Sequence, residues 1–276
     1  MKRLLQCLAI AVAVLFCGTA ATARTAVVMA HYGSSNDYTR TKTIGRITED
    51  VRQAFPDITV REAYISPVVR RSMIARGLDA PSPEDALLRL RAEGYDTVYV
   101  QPSTLLDGGE TAEVRRTVEA VAPFFSHVAM GLPLLYSPAD CEEVVKVLLQ
   151  EPCAANEAVV FVGHGNMLPS TASYSQLDNM LGVSAGKGVY HVSTIEGYPT
   201  LESTLTQLRA SKGVKRVRLV PLLLVCGNHT LKDIDGAYAE GVRAAGYQTS
   251  TELRGLAEIP AIRSIYVERV RRLTGR

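Results

Sequence analysis

Two histidines and one glutamate each follow a separate run of β-branched and aliphatic residues. His164 lies between two glycines, Glu196 follows the run 192–195, and His229 closes the segment 226–229. If those runs are strands of a parallel α/β sheet, their carboxyl ends share one edge, where such sheets bind ligands. Two imidazoles and a carboxylate suit Co²⁺, Fe²⁺, Ni²⁺ or Zn²⁺ and leave coordination positions open for a substrate. The pattern therefore predicts an open metal site, in which His164 and Glu196 also take part in catalysis.

Each of these residues also has a purely structural interpretation. The glycines beside His164 are typical of a tight turn, and Glu196 is also typical of an acid that interacts with a helix N-terminus. Cys226, close to His229, is more typical of a small buried residue at a strand end than of a fourth ligand. Two histidines at strand ends in the same half of the chain favour the metal site.

The first half of the chain carries histidine, hydroxyl and basic side chains after its own first apolar run. His31, Tyr32 and Ser34 follow that run directly, and we expect them to face the same cleft. Arg40 and Arg46 belong to the next helical segment. Guanidinium groups bind carboxylates through two parallel hydrogen bonds, so this group suits a substrate with several carboxylates. A solvated helix face is the alternative interpretation for each basic residue.

Hydrophobic periodicity alternates strands with amphipathic helices along the chain, which predicts parallel sheets flanked by helices. The segment 90–102 resembles the segment 208–221 in its order of helix, turn and strand. The apolar run 25–30 has a counterpart at 158–162, and each run leads to a histidine. Recurrence in one order indicates a duplicated unit, although two unrelated βα units can also resemble each other.

We therefore predict an α/β protein of two similar lobes, each a parallel sheet flanked by helices, with a cleft between them. The first lobe is expected at residues 24–135 and the second, which carries the metal site, at residues 136–276. A helix at 139–151 is predicted to lead the chain into the second lobe, and a helix at 260–273 to close it.

The first 23 residues have the composition of a cleaved export signal. Lys2 and Arg3 precede an almost wholly apolar run, and residues 21–23 form an A-x-A cleavage site. The apolar run is too short for a comfortable membrane span, and no stop-transfer segment follows it. We therefore expect a mature protein that begins near Arg24 and lies in the periplasm without a membrane anchor.

Composition argues against several classes of function. Loss of Lys2 and Arg3 lowers the 30 basic residues to 28, equal to the 28 acidic residues, so no basic excess is left for nucleic acid. Residues 182–188 are one residue short of a P-loop, and no G-x-G-x-x-G follows a strand, so no nucleotide is expected. The mature chain would keep an odd number of cysteines, which argues against a disulfide framework.

Taken together, these motifs resemble the class II tetrapyrrole chelatases, and most of all the anaerobic cobalt chelatases of cobalamin synthesis. The motifs that carry the resemblance are residues 30–34, 64–67, 71–74, 100–103, 109–110, 163–165, 195–199 and 227–229. The resemblance implies that His164, Glu196 and His229 bind metal and that Co²⁺ is inserted into sirohydrochlorin, a tetrapyrrole with several carboxylates. It also implies that Glu110 contacts the substrate and that no nucleotide is consumed.

Two other functions stay open at this point. Histidine and glutamate ligands do not separate Co²⁺ from Fe²⁺, so a ferrochelatase that makes sirohaem or haem is one alternative. A two-lobed form with a cleft is also typical of exported carriers, so a metal- or tetrapyrrole-binding uptake protein is the other. Export is unexpected for a biosynthetic chelatase, because its substrate is made in the cytoplasm.

His127 lies in an aromatic and apolar stretch outside the predicted metal site. An ordinary strand or surface histidine is the simpler interpretation. Haem, however, needs only an axial imidazole in an apolar pocket. If the protein forms a two-fold homo-oligomer, two copies of His127 are predicted to ligate one haem across the axis.

Overall fold

A computed structural model of the protein describes residues 24–186, 188–227 and 232–276. The predicted export signal and His229 lie outside the described residues. The strands are β1 Thr25–His31, β2 Thr59–Tyr64, β3 Thr97–Ser103, β4 His127–Met130, β5 Glu157–Gly165, β6 Tyr190–Glu196, β7 Arg216–Pro221 and β8 Gln248–Thr251. The α-helices are α1 Asp37–Lys42, α2 Ile44–Ala54, α3 Pro67–Ile74, α4 Pro83–Ala92, α5 Gly109–Val121, α6 Pro138–Leu148, α7 Ala172–Ala185, α8 Leu201–Ala210, α9 Ala239–Ala244 and α10 Pro260–Thr274. A π-helical segment, Lys232–Tyr238, precedes α9.

The eight strands form two parallel sheets with the same topology. The strand order is β2-β1-β3-β4 in the first sheet and β6-β5-β7-β8 in the second. Each strand of the first sheet thus has a counterpart at the same place in the second. The predicted α/β fold of two similar lobes is confirmed, and the shared topology agrees with the predicted duplication.

Three apolar clusters hold the sheets and helices together. Side chains from both lobes, among them Met29 of β1 and Phe161 of β5, form one continuous central cluster. A second cluster lies between the first sheet and α4 and α5, and a third between the second sheet and α8 and α9. Both faces of each sheet are therefore covered, which is why β1 and β5 are apolar at nearly every position.

Helix starts are encoded locally, and the same device occurs in both lobes. Ser82 caps α4 and Ser137 caps α6, and each accepts a hydrogen bond from the backbone of an aspartate three residues later. The carboxylate of that aspartate accepts a hydrogen bond from the capping residue's own amide, and a proline occupies the first turn. Such reciprocal capping satisfies backbone donors that have no partner within the helix.

The last helix, α10, packs on the first lobe as well as on α6 of the second. It contacts α2 and β3, and Arg263 forms an ion pair of 2.6 Å with Asp50 of α2. The predicted division at residues 135 and 136 therefore separates the two sheets but not all of the helices. The chain crosses between the lobes twice, so the lobes cannot separate without unpacking α10.

Arg269 of α10 is 7% exposed and fixes the segment that connects the lobes. Its guanidinium donates hydrogen bonds to the backbone carbonyls of Leu132, Pro133 and Leu134 and pairs with Asp140 at 3.0 Å. A planar guanidinium with five donors suits several converging oxygens better than an ammonium does. The connection is thus held by a buried charge on a helix that ends the chain.

Across residues 24–186, 188–227 and 232–276, the helices are all too short or too polar to cross a membrane.

Replacement of Arg269 by methionine tests the importance of this connection. The change leaves the mostly buried Asp140 carboxylate without its cation and removes the guanidinium donors from three carbonyls, so we expect the free energy of unfolding to fall by about 3–5 kcal/mol. Urea denaturation of the mature chain measures it. Arg271→Met on the same helix is the control, because Arg271 pairs with Glu268 at the surface, and it should cost under about 1 kcal/mol. An equal loss of unfolding free energy in the two variants would contradict the role of Arg269 in fixing the connection between the lobes.

Candidate metal and substrate site

Two of the predicted metal-binding residues belong to adjacent strands of the second sheet. His164 is the penultimate residue of β5, and Glu196 is the last residue of β6, paired in register with Gly165. β7 lies on the other side of β5 and leads toward residue 229. Among the described residues, no three histidine, cysteine, aspartate or glutamate side chains are grouped as metal ligands. The assignment of the metal site therefore stays a prediction.

Gly165 allows the ends of β5 and β6 to approach closely. Its φ is +80°, in the region that favours glycine, and a Cβ added there would overlap the backbone carbonyl of Glu196. Gly163, on the other side of His164, leaves room for the ring of Tyr174, which a Cβ would meet. The two glycines thus bring His164 and Glu196 to neighbouring strand ends while a helix covers the strand.

The hydrogen bonding of His164 defines which ring nitrogen is free. Its side chain is exposed, and Nδ1 lies 3.1 Å from the backbone oxygen of Gly165. A carbonyl oxygen only accepts, so Nδ1 carries the proton and donates. In the neutral ring with this tautomer, Nε2 keeps its lone pair, the state in which a histidine binds a divalent cation.

A cavity of about 470 Å³ lies at the strand ends and is lined by residues of both lobes. His164, Tyr174 and Asn166 line it from the second lobe. Tyr32, half-exposed, and Glu110 line it from the first lobe. Much of the remaining lining is aliphatic, from residues 105–106 and 223–225. The cavity therefore combines apolar walls with a few polar groups, as small-molecule sites commonly do.

The N-terminus of α5 opens onto this cavity. Gly108, the capping residue, and Gly109 both line it, and no side chain caps the helix. The first amides of an α-helix have no partner within the helix and carry the positive end of its dipole. This end of α5 is suited to a carboxylate of a ligand, and Glu110 lies in the same turn.

The expectation that His31 faces the cleft differs from the structure. His31 is fully buried at the end of β1, with Nδ1 2.5 Å from Ser103 Oγ and Nε2 2.8 Å from Thr48 Oγ1. The described lining of the cavity includes Ser103 but not His31. Burial lowers the pKa of His31 to about 4, so the imidazole is neutral at physiological pH.

Three other residues of the first lobe also lie apart from the cavity. Ser34 is buried in the turn before α1. Arg40 pairs with Asp37 at 2.7 Å and, together with Arg46, lines a second cavity of about 450 Å³. Carboxylate binding by Arg40 and Arg46 stays a prediction, and both residues lie at a cavity other than the one that His164 lines. Hydrophobic periodicity predicts which face of a helix is buried. It does not predict whether the polar face points toward the cleft or away from it.

His127 begins the edge strand β4 and is exposed. Its ring meets that of Tyr99 edge to face, with ring centroids 5.5 Å apart. Haem ligation by this histidine stays a prediction.

Tyr174 is a cavity residue that the sequence analysis missed. It lies on α7 with its ring against Gly163, and burial raises its pKa to about 12. The one available sequence signal is the glycine at position 163, whose missing side chain makes room for the ring. That signal can be interpreted only when the packing of α7 on β5 is known.

Two solved SirB structures have the same architecture as this chain. SirB from Bacillus subtilis with Fe³⁺ matches with a TM-score of 0.65 and 17% identity, covering 91% of this chain and 95% of that one. SirB from Bacillus subtilis subspecies spizizenii in complex with cobalt matches with a TM-score of 0.62 and 16% identity, covering 91% and 96%. At this identity the likeness shows the fold: two similar parallel-sheet lobes of the chelatase type.

Sequence comparison then identifies the family. The model of the family described as cobalt chelatase (CbiK) matches residues 25–274. A sirohydrochlorin cobaltochelatase of Salmonella typhimurium is 33% identical over 249 residues, which cover 88% of this chain and 93% of that protein. Sirohydrochlorin cobaltochelatase CbiKC of Nitratidesulfovibrio vulgaris is 33% identical over 251 residues, 88% of each chain. The chain belongs to the cobalt chelatase (CbiK) family.

Gly165→Ala tests the geometry of the strand ends. Because a Cβ at this position meets the carbonyl of Glu196, we expect the end of β6 to shift and Co²⁺ affinity to fall by about tenfold or more, as when a metal ligand loses its orientation. Isothermal titration with Co²⁺ measures the affinity. Gly182→Ala on α7 is the control, since an added Cβ there meets open space. Unchanged Co²⁺ affinity in Gly165→Ala would show that metal binding does not depend on the close approach of β5 and β6.

Proposed function

We propose that the protein inserts Co²⁺ into sirohydrochlorin. The observation that carries the proposal is a family match over residues 25–274, which includes both lobes and the cavity between their strand ends. Two relatives named for this activity cover 88% of the chain, which supports the same substrate here. The ligand chemistry also suits Fe²⁺, so the metal used in the cell is part of the proposal and not of the family assignment.

The proposed metal ligands are His164, Glu196 and His229. Nε2 of His164 is free to bind a cation, and Glu196 ends the neighbouring strand. Two imidazoles and a carboxylate leave coordination positions open, so the ion can pass to the four nitrogens of the macrocycle. An incompletely coordinated ion is easier to release than one in a closed structural site.

The macrocycle is proposed to occupy the cavity between the lobes. Its apolar walls and the exposed ring of Tyr32 suit a flat tetrapyrrole, and the free N-terminus of α5 suits one of its carboxylates. Insertion replaces two pyrrole N–H protons by the metal, so the site must also accept protons. Neither nucleotide nor reductant enters this stoichiometry.

His164→Ala and His229→Ala are each expected to abolish cobalt insertion, because each removes a proposed ligand. The absorption spectrum of sirohydrochlorin with Co²⁺ is followed for turnover beyond one equivalent, and parallel reactions contain Fe²⁺. His164 is exposed at a strand end, so its loss should change the free energy of unfolding by under about 0.5 kcal/mol.

Glu196→Gln keeps the shape of the side chain and should lower the rate by weakening metal binding or proton acceptance. His127→Ala is the control, an exposed imidazole at the start of β4, and should keep the wild-type rate. Wild-type turnover in both His164→Ala and His229→Ala would refute the proposed site, and stoichiometric binding without turnover in the wild type would favour an uptake protein.

A periplasmic location is also proposed. The family match begins at residue 25, directly after the predicted cleavage site, which supports a leader that is separate from the enzyme. We also propose that two copies of His127 ligate one haem across the axis of a two-fold oligomer.

Expression of the full chain in a Gram-negative host should deliver the protein to the periplasm, with a mature N-terminus at Arg24. Cell fractionation and intact mass measure both quantities. A chain that lacks residues 2–23 is the control and should stay in the cytoplasm. A full chain that stays in the cytoplasmic fraction and keeps residues 1–23 would contradict export.

A further inference from the structure

The three chain segments that carry the predicted metal ligands are held together in different ways. The segments of His164 and Glu196 touch directly: at Gly197, whose φ is +87°, an added Cβ would meet the backbone oxygen of Asn166. The third segment follows β7 and carries residue 229. Its distance from the other two depends on how the chain is held before and after that residue.

Before residue 229, the chain is held by its main chain. Amides of the segment 255–258 donate hydrogen bonds of 2.7 and 3.2 Å to the carbonyls of Leu223 and Leu224. Gly255 permits this contact, because an added Cβ there would lie 2.5 Å from the carbonyl oxygen of Leu224. The approach to residue 229 is therefore fixed by backbone hydrogen bonds.

After residue 229, a buried hydroxyl holds the chain. The π-helical segment Lys232–Tyr238 begins three residues after position 229 and ends at Tyr238, which is 6% exposed. The Tyr238 hydroxyl donates a hydrogen bond to Oγ of Ser193, a fully buried residue of β6. Burial raises the pKa of Tyr238 to about 12, so the phenol keeps the proton that it donates.

Ser193 connects Tyr238 to the loop that contains Glu196. Ser193 Oγ donates to the carbonyl oxygen of Pro199 at 3.3 Å, so the serine accepts from Tyr238 and donates to the loop. The same carbonyl accepts hydrogen bonds from the amide and the hydroxyl of Thr194, at 2.8 and 2.9 Å. The loop that starts at Glu196 is therefore closed back onto β6 at the point that Tyr238 contacts.

Thr204 of α8 also contacts Ser193. Its hydroxyl lies 2.8 Å from Ser193 Oγ and 3.0 Å from the carbonyl oxygen of Thr200, the capping residue of the same helix. Thr204 thus joins Ser193 to the start of α8. Tyr238 is the member of this group that joins Ser193 to the segment after residue 229.

The hydrogen bond of Tyr238 supplies a direction that apolar packing lacks. Ile234 and the ring of Tyr238 are buried in the apolar cluster between the second sheet and α8 and α9. Apolar contacts are non-directional, whereas a hydroxyl donor aligns with its acceptor within a narrow range of distance and angle. Removal of the hydroxyl alone therefore keeps the packing and loosens the position of the segment relative to β6.

We propose that Tyr238 is a positioning residue for metal binding: through Ser193, it sets the distance between the segment that carries His229 and the strand end that carries Glu196. The proposal rests on the metal site proposed above, in which both of these residues and His164 bind the ion. Tyr238 itself touches neither the ion nor the macrocycle in this arrangement. Residues that orient metal ligands commonly change the affinity for the metal by about 10- to 100-fold, so the spacing of the ligands is a sensitive quantity.

Tyr238→Phe removes the hydroxyl and keeps the ring. Calorimetric titration with Co²⁺ should show an affinity lowered about three- to tenfold, the fold-change that corresponds to one neutral hydrogen bond. The visible absorption bands of bound Co²⁺, which report its coordination, should change as well. Tyr190→Phe is the matched control: Tyr190 is 8% exposed, begins β6 at the end opposite Glu196, and donates to the carbonyl of Glu151 at 2.7 Å. It should keep the wild-type affinity and spectrum.

Ser193→Ala is a second variant, which stays informative if Tyr238→Phe does not fold. It removes both the acceptor for Tyr238 and the donor to Pro199, so we expect Co²⁺ affinity to fall at least as far. The double variant should lose no more affinity than Ser193→Ala alone, because both changes remove the same connection.

Wild-type Co²⁺ affinity in either folded single variant, an equal loss in Tyr190→Phe, or additive losses in the double variant would overturn the proposal. Failure of the proposed metal site gives a different result: His164→Ala would then bind Co²⁺ as tightly as the wild type in the same titration.

Discussion

The buried guanidinium of Arg269 fixes how the two lobes meet, and the cavity depends on that arrangement. It holds the backbone of residues 132–134, the connection between the sheets, and pairs with Asp140 at the start of α6. The terminal N–H groups of the guanidinium find these carbonyls and this carboxylate, which offsets the cost of burying the charge. Because Arg269 lies on the last helix, the geometry of the cleft is completed only when the end of the chain has packed on the first lobe.

A histidine lies at or near the end of the corresponding strand of each sheet, β1 and β5, and the two differ in their surroundings. His164 is flanked by glycines, so the backbone turns and the imidazole reaches solvent. His31 has no glycine before it, and hydroxyls of Thr48 and Ser103 enclose its ring. The same strand position therefore yields an exposed ring in one lobe and a neutral buried ring in the other. The neighbouring residues, rather than the histidine itself, determine which outcome occurs.

The sequence analysis was most accurate for elements whose bounds depend on neighbouring residues in the chain. β1 was expected at 25–30 and runs from Thr25 to His31, and the start of α10 was expected within a residue. Alternation of strands and helices was enough for the two-sheet fold. The orientation of His31 and Arg46 was missed, because a strand end or helix face has no direction until its neighbours are known. Tyr174 was missed for the same reason: it reaches the site across packed elements, and only the small residue at 163 hinted at it.

Metal insertion brings a divalent cation toward the nitrogens that must lose protons, and the two charges repel. At an effective dielectric constant of about 20, a divalent ion and a proton about 10 Å apart repel by roughly 3 kcal/mol. The repulsion is smaller if the groups near those nitrogens carry no positive charge of their own. His31, behind Ser103 at the cavity, is buried between hydroxyls and neutral, whereas His164 is exposed at the corresponding strand of the other lobe. On this argument, the burial that keeps His31 neutral avoids a second cation opposite the proposed metal site.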